Sequence, residues 1–265
     1  MKSLPIWIVG AVVVLSSSAV FAQGFGSISG QFVYDGTPPA PVQLKPDKDP
    51  AVCAKDPLYD EELVVGKDGG IENVVVSYFL KLGAKAPAAD PKVVAALPAK
   101  VRSDNEKCRF TPHITVLMVG KQQLVLGNKD SIAHNVKGDC LKNSPFNPLI
   151  PANGELPIKA ESLSKGESLP VPLSCSIHPW MRGRLVVADH PFVAVTDASG
   201  KFTITGIPAG THTFRAWQEK SGYVTDVSEK GAPKTWMQGK FDVAVKAGEA
   251  TDIGVIKVSP KNFMK

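Results

Sequence analysis

The chain has 265 residues, 43% hydrophobic and 21% charged, a balance that excludes wholesale disorder. Its 23 glycines and 22 prolines follow no Gly-X-Y period, so they favour many turns and short strands over long helices. The net charge of +5 is scattered with no basic run. That excludes a nucleic-acid footprint and is compatible with a mildly acidic protein partner.

Taken in chain order, the first element is an address. Lys2, the apolar run over residues 4–15, Ser16-Ser17-Ser18 and Val20-Phe21-Ala22 read as an export signal cleaved after Ala22. The apolar run is short of the ~20 residues a spanning helix needs, and no later stretch is long and apolar enough to span. The mature chain is therefore expected to be exported, secreted or periplasmic, with no membrane span and with disulfides allowed. Residues 24–34 alternate small or polar with apolar side chains and end in Asp35-Gly36, a strand and a turn. Residues 37–60, rich in proline, lysine and aspartate, read as a long loop. Residues 63–65 and 74–82 read as strands around the turn Lys67-Asp68-Gly69-Gly70, and residues 83–100 as a connector with one or two helical turns at 90–97. Strands are expected at 114–119, 123–126, 132–136, 169–174 and 184–187, then at 192–196, 202–205, 213–217, 241–245 and 251–258. Turns fall at Asp197-Ala198-Ser199-Gly200 and Pro208-Ala209-Gly210. No segment sustains a 3.6-residue period. The expected class is all-β, built as sandwiches.

Chemistry concentrates in Cys175-Ser176-Ile177-His178-Pro179-Trp180-Met181, with His134 forty-one residues before the cysteine. A thiolate, two imidazoles and a thioether form a soft donor set that suits trigonal copper with a weak axial methionine. Zinc is the competing metal, but it prefers closed Cys/His sets. Three donors on one short loop between strands, met by a fourth from a neighbouring strand, would be held by a rigid β frame.

The runs His134-Asn135-Val136 and CSIHPWMRGRLVV (residues 175–187) resemble a cupredoxin, with a ligand loop closest to the amicyanin type. The resemblance covers residues 104–189. It implies a Greek-key sandwich with one type 1 (blue) copper ion held by His134, Cys175, His178 and Met181. It also implies that Asn135 hydrogen-bonds the loop beside the cysteine, with Ser176 as its partner, and so supports the ligand geometry. In such proteins the second histidine presents its ring edge at the surface within an apolar patch, here Pro179 and Trp180, and electrons pass through it. One departure is Leu173, two residues before the cysteine, where relatives carry an aromatic; Pro172 precedes it, so the approach strand is expected to be looser.

Two further stretches resemble the halves of a carboxypeptidase-regulatory-like (transthyretin-like) β-sandwich. The first is Gly26-Ser27-Ile28-Ser29-Gly30 with the strand at 74–82. The second is VTDASGKFTITGIPAGTHTFRAW (195–217), Gly222-Tyr223 and VAVKAGEATDIGVIKV (243–258). The resemblance implies a discontinuous host sandwich at 23–82 and 190–265, a linker at 83–103 and a cupredoxin inserted at 104–189. Insertion is tolerated where the two ends of the inserted piece lie close together at a surface. As a whole the chain is similar to exported cupredoxin-type proteins of the methylamine-utilisation-like kind.

No HExxH or nucleophile motif is present, and the chain reads as an electron-transfer protein rather than an enzyme. The partner implied is an exported redox protein, cytochrome- or dehydrogenase-like. Lys137, Arg182 and Arg184, near the ligands in sequence, point to an acidic one. A copper-dependent enzyme partner or assembly module, and a scaffold sandwich with structural copper, are the alternatives. Of the remaining cysteines, Cys53, Cys108 and Cys140, only one pair can form, by three possible choices. Cys53 with Cys108 is expected, since both flank polar loops where host and insert meet. Cys140 is then the odd thiol, or instead approaches the metal. His113, His190 and His212 are isolated between apolar or turn residues and are expected to be structural.

Overall fold

The structure, a computed structural model, describes residues 24–81 and 83–264. The expected export signal at 1–22, and Leu82 at the end of the expected strand 74–82, lie outside the described residues. The chain is all-β, with strands grouped into sheets that enclose two main apolar cores.

One core is built by the two ends of the chain. Strand Phe25–Tyr34 buries Ile28, Gly30, Phe32 and Tyr34 on alternate positions, the period of a half-buried strand. It pairs antiparallel with Lys201–Pro208 and parallel with Ala250–Val258, so residues far apart in sequence flank it on both sides. Asp226–Glu229 and Ala232–Thr235 complete that sheet. The facing sheet runs Val193–Val195, Val75–Tyr78, Gly210–Gln218 and Gly222–Tyr223, with Lys240–Val245 also paired to Gly210–Gln218. Between them lie Phe32, Phe202, Phe214, Trp236 and Phe241, with Trp236 stacked on Phe241 at 4.3 Å. The turn at 197–200 needs its glycine: Gly200 has φ +77°, and a Cβ there would stand 2.1 Å from the Phe32 carbonyl oxygen.

The second core belongs to the middle of the chain. One sheet orders Glu155–Pro157, Gln123–Asn128, Lys100–Glu106 and Arg109–Thr111. The other orders Lys137–Gly138, Val171–Ser174, Arg182–Ala188 and Ile114–Met118. Phe110, Leu124, Leu126, Val136, Ile150, Leu173, Leu185 and Val187 fill the space between. A small third cluster, Val75, Ile114, Val186 and Trp217, joins the two regions. Beside it the Arg184 guanidinium lies over the Trp217 ring and bonds Glu219.

Four expectations are corrected. Residues 37–60 are not simply a loop: Gln43–Leu44 pairs with Leu58–Tyr59, and Pro50–Cys53 forms a helical turn between them. Two-residue ladders are too short to show periodicity. Strand Lys100–Glu106 begins inside the stretch read as connector, and its buried run is Ser103, Asp104 and Asn105, so no apolar pattern announces it. Residues 226–229 and 232–235 form a hairpin that the sequence did not suggest. The strand expected at 132–136 is broken into His134–Asn135, paired with Leu149–Ile150, and Lys137–Gly138, paired with Val171–Ser174.

Candidate metal centre

The seven residues from Cys175 to Met181 close a hairpin between Val171–Ser174 and Arg182–Ala188, pinned where Ser174 faces Arg182. Two backbone bonds tighten the loop: the Met181 amide donates to the His178 carbonyl (2.9 Å) and the Cys175 amide to the Met181 carbonyl (3.2 Å). His134 enters from its short strand opposite Ile150. The fold brings the three side chains together with both histidines turned the same way. Cys175 Sγ lies 4.0 Å from His134 Nδ1 and 3.7 Å from His178 Nδ1, and the two Nδ1 atoms are 2.9 Å apart. Both imidazoles are fully buried, and Cys175 and Met181 are nearly so. Met181 belongs to the same core, with its backbone knitted into the loop as above.

The outward edge of each ring is held by a carboxylate. His134 Nε2 lies 2.9 Å from Asp130 Oδ2, and His178 Nε2 lies 2.9 Å from Asp49 Oδ2. Each Nε2–H donates to its carboxylate, which leaves Nδ1 facing inward, the arrangement a metal-ligating histidine needs. Asp130 is itself anchored: its carboxylate accepts from the Lys107 and Cys108 amides (2.6 and 2.8 Å), and its own amide donates to Asn128 Oδ1 (3.0 Å). Asn128 Nδ2 in turn donates to the carbonyls of Ile132, Ile150 and Pro151. Asn135 Oδ1 accepts from the amides of Ser176 (2.8 Å) and Ile177 (3.3 Å) and lies 3.4 Å from the Cys175 sulfur. Its Nδ2 donates to Asn147 Oδ1 and, longer at 3.4 Å, to Ser176 Oγ.

These contacts set the charges. Burial works against ionising Cys175, but His134 and the backbone bonds at His178 and Asn135 overcome it and bring the thiol down to about 6. Burial likewise disfavours the His134 imidazolium, yet Asp130 and the Cys175 sulfur raise it to about 9. The metal-free site is thus a thiolate beside a cationic imidazole at neutral pH. Burial also opposes Asp130, whose carboxyl is nevertheless held below its ordinary value by His134 and the two amides.

Asp49, Asp130 and Asn147 were not singled out in the sequence. Asp130 stands four residues before His134, a spacing that could have suggested it; Asp49 lies 129 residues from its partner and left no signal. The second group of close donor atoms, Cys108, Asp130 and His134, is not an independent metal site, because Cys108 is joined to Cys53 in a disulfide. Cys140 is free and buried; burial, Glu167 and Asp139 push its thiol up to about 11, and it belongs to neither donor group among the described residues. His113 bonds Glu219 (2.7 Å), His212 bonds the Pro208 carbonyl (2.7 Å), and His190 packs against Tyr78 and Phe192.

Two expectations about the surface are corrected. His178 does not present its ring edge to solvent, since Asp49 covers Nε2 and Trp180 packs on the ring at 5.2 Å between centroids. Nor is the surround a free positive cluster. Lys137 pairs with Asp139 and Arg184 with Glu219, and of the three only Arg182 has no acidic partner within salt-bridge reach among the described residues.

No family model matches the chain, and no curated protein does. Among solved structures, it is similar to a copper-containing nitrite reductase from Thermus scotoductus SA-01 at 23% identity and TM-score 0.30, over 42% of this chain and 25% of that one. The chain thus matches only a quarter of that enzyme's length. It is also similar to an amicyanin variant in its oxidized state (18% identity, TM-score 0.30, 43% of this chain and 98% of that one). A second amicyanin variant, in its Cu(I) form, matches at 17% identity and TM-score 0.29, over 44% and 100% of the two chains.

Proposed function

We propose that His134, Cys175, His178 and Met181 hold one copper ion in a type 1 centre and that the protein is an electron carrier rather than an enzyme. The observation that carries this reading is the convergence of two inward Nδ1 atoms and a thiol in one water-excluded site, with the opposite edge of each ring tied to a carboxylate. A set of two imidazoles and one thiolate, with the buried Met181 on the same loop to supply a thioether, selects copper over harder ions. Bound copper would supply a one-electron couple. The protein's part is to keep the donors still. Asp130 fixes the tautomer of His134, Asn135 ties the loop on either side of Ser176 to the neighbouring strand, and the hairpin register sets where Cys175 and Met181 stand. Donors held this way need little rearrangement when the charge at the centre changes. With the Cys175 thiol brought down to about 6 and His134 raised to about 9, binding a metal ion near neutrality would require His134 to give up its proton.

The copper-binding unit, residues 104–189 in our division, is read as a cupredoxin inserted into a carboxypeptidase-regulatory-like host formed by 23–82 and 190–265, with 83–103 as linker. Two cores with largely separate membership support that reading. The partner is an exported redox protein, cytochrome- or dehydrogenase-like, met outside the cytoplasm. No helix among the described residues is long and apolar enough to cross a membrane.

The test is the visible and EPR spectrum after Cu(II) addition. An intense copper–thiolate band is expected, abolished by Cys175→Ala. Met181→Leu is expected to keep copper with a shifted potential. A colourless product, or a band that survives Cys175→Ala, would overturn the assignment.

A further inference from the structure

The segment over residues 43–59 packs Leu44, Val52, Cys53 and Leu58 on the core that holds the centre and brings Asp49 to the outward edge of His178. Its two ends pair with each other as Gln43–Leu44 and Leu58–Tyr59, and Leu58 is buried in the core that holds the centre. At its middle, Cys53 is bonded to Cys108. The amide of that same Cys108 donates to Asp130, the carboxylate that holds His134. One covalent staple therefore joins the supports of both histidines.

Asp49 itself is placed unusually. It is the N-cap residue of the helical turn Pro50–Cys53, a position where aspartate normally accepts a bond from its own helix. Here the backbone takes left-handed angles (φ 48°, ψ 46°), which aspartate tolerates better than most residues, and the side chain makes no capping bond. The carboxylate is directed to His178 Nε2 instead. Asp49 is 46% exposed while the His178 side chain is 0% exposed, so the carboxylate is the layer between solvent and ring.

We infer that residues 43–59 form a stapled strap whose Asp49 is a positioning residue: it locks His178 with Nδ1 inward and shields the centre, including Cys175, from exogenous ligands and from metal loss. This rests on the copper reading for its metal-loaded half only. Electron exchange would then leave through Trp180, which packs on His178 and is half-buried, rather than through the histidine edge.

The test uses the full chain in a Cys140→Ser background, so that Cys175 is the one free thiol. In the metal-free protein, labelling of Cys175 by an uncharged alkylating reagent is expected to be slow, and to accelerate by roughly tenfold or more in Asp49→Ala. Asp49→Asn keeps an acceptor oxygen in place and is expected to restore protection. After copper loading, Asp49→Ala should speed metal loss to a chelator by about 10–100-fold, the usual cost of removing a partner of a ligating histidine, and should shift the EPR parameters. Cys53→Ser with Cys108→Ser leaves Asp49 present but frees the strap, and should move both rates in the same direction. Unchanged labelling and unchanged metal loss in both variants would overturn the strap. Faster labelling in Asp49→Ala from a protein that never gives a copper–thiolate band would uphold the strap and overturn the copper reading.

Discussion

The two regions of this molecule are held together by different physics. The sandwich built from the chain ends is an aromatic core: Phe32, Phe202, Phe214, Trp236 and Phe241 pack between two sheets, and Trp236 Nε1 reaches out to Glu229. The middle region buries Ser103, Asp104, Asn105, Asn128, Asp130, His134, Asn135 and His178 beside its apolar side chains. Apolar packing is non-directional, so it fixes a volume and little else. Hydrogen bonds fix angles, and a buried partner left unmatched costs its full desolvation. The end-built region also buries hydrogen-bonded polar side chains, among them Thr196, Gln218 and Asn262, but only in the middle region does such a network converge on Cys175, His134 and His178. The end-built sandwich supplies a frame, while the polar network sets the orientation of His134, Cys175 and His178.

The largest expected effect that would sharpen this contrast is on the frame. Phe214 is fully buried in the end-built core, and Phe214→Ala should destabilise the protein by about 3–5 kcal/mol in denaturant melts. The copper–thiolate band of the protein that remains folded should be unchanged. A changed band would show that the two regions do not divide the work in this way.

A smaller effect is expected on the network. Asp130→Ala strands the His134 Nε2–H and the Lys107 and Cys108 amides. The loss should be about 1.5–3 kcal/mol of stability, for a charged acceptor removed. Metal affinity should fall by roughly 10–100-fold. Equal loss of stability without loss of affinity, measured by chelator competition, would reduce Asp130 to a folding role.

The smallest expected effect is a pH dependence of the metal-free fold. Cys175 is depressed to about 6, so its contribution is complete above the unfolded thiol's pKa of about 8.5 and is lost as pH falls through about 6. His134 is raised to about 9, so its contribution is complete below the unfolded value of about 6.5 and is lost as pH rises through about 9. The thiolate–imidazolium pair should therefore survive between about 6 and 9, with Tm falling on both sides. Cys175→Ser should remove the acid-side limb that this pair contributes. Thiolate absorbance should follow the same lower midpoint.

What the residues by themselves determined is the all-β class and the hairpin loop that carries Cys175, His178 and Met181. Alternating apolar positions mark Phe25–Tyr34 and Lys201–Pro208, because each strand has one face on a core. The loop from Cys175 to Met181 is legible because its donors are close together in the chain and need only a hairpin to converge. Strand Lys100–Glu106 was not legible, because it buries polar side chains that satisfy one another through space and leave no apolar period. Nor was residue 49 legible as part of the site. An aspartate before a proline in a lysine-rich stretch reads as a turn, and nothing local distinguishes it from Asp47 or Asp56. Only the tertiary structure decided that His178 is covered and by what, that Asp130 and Asp49 set both ring orientations, and that Cys53 staples the cover in place. The physical reason is range. Strand periodicity is written residue by residue against the nearest sheet, whereas a hydrogen bond spanning 129 residues depends on where the whole chain brings its two ends.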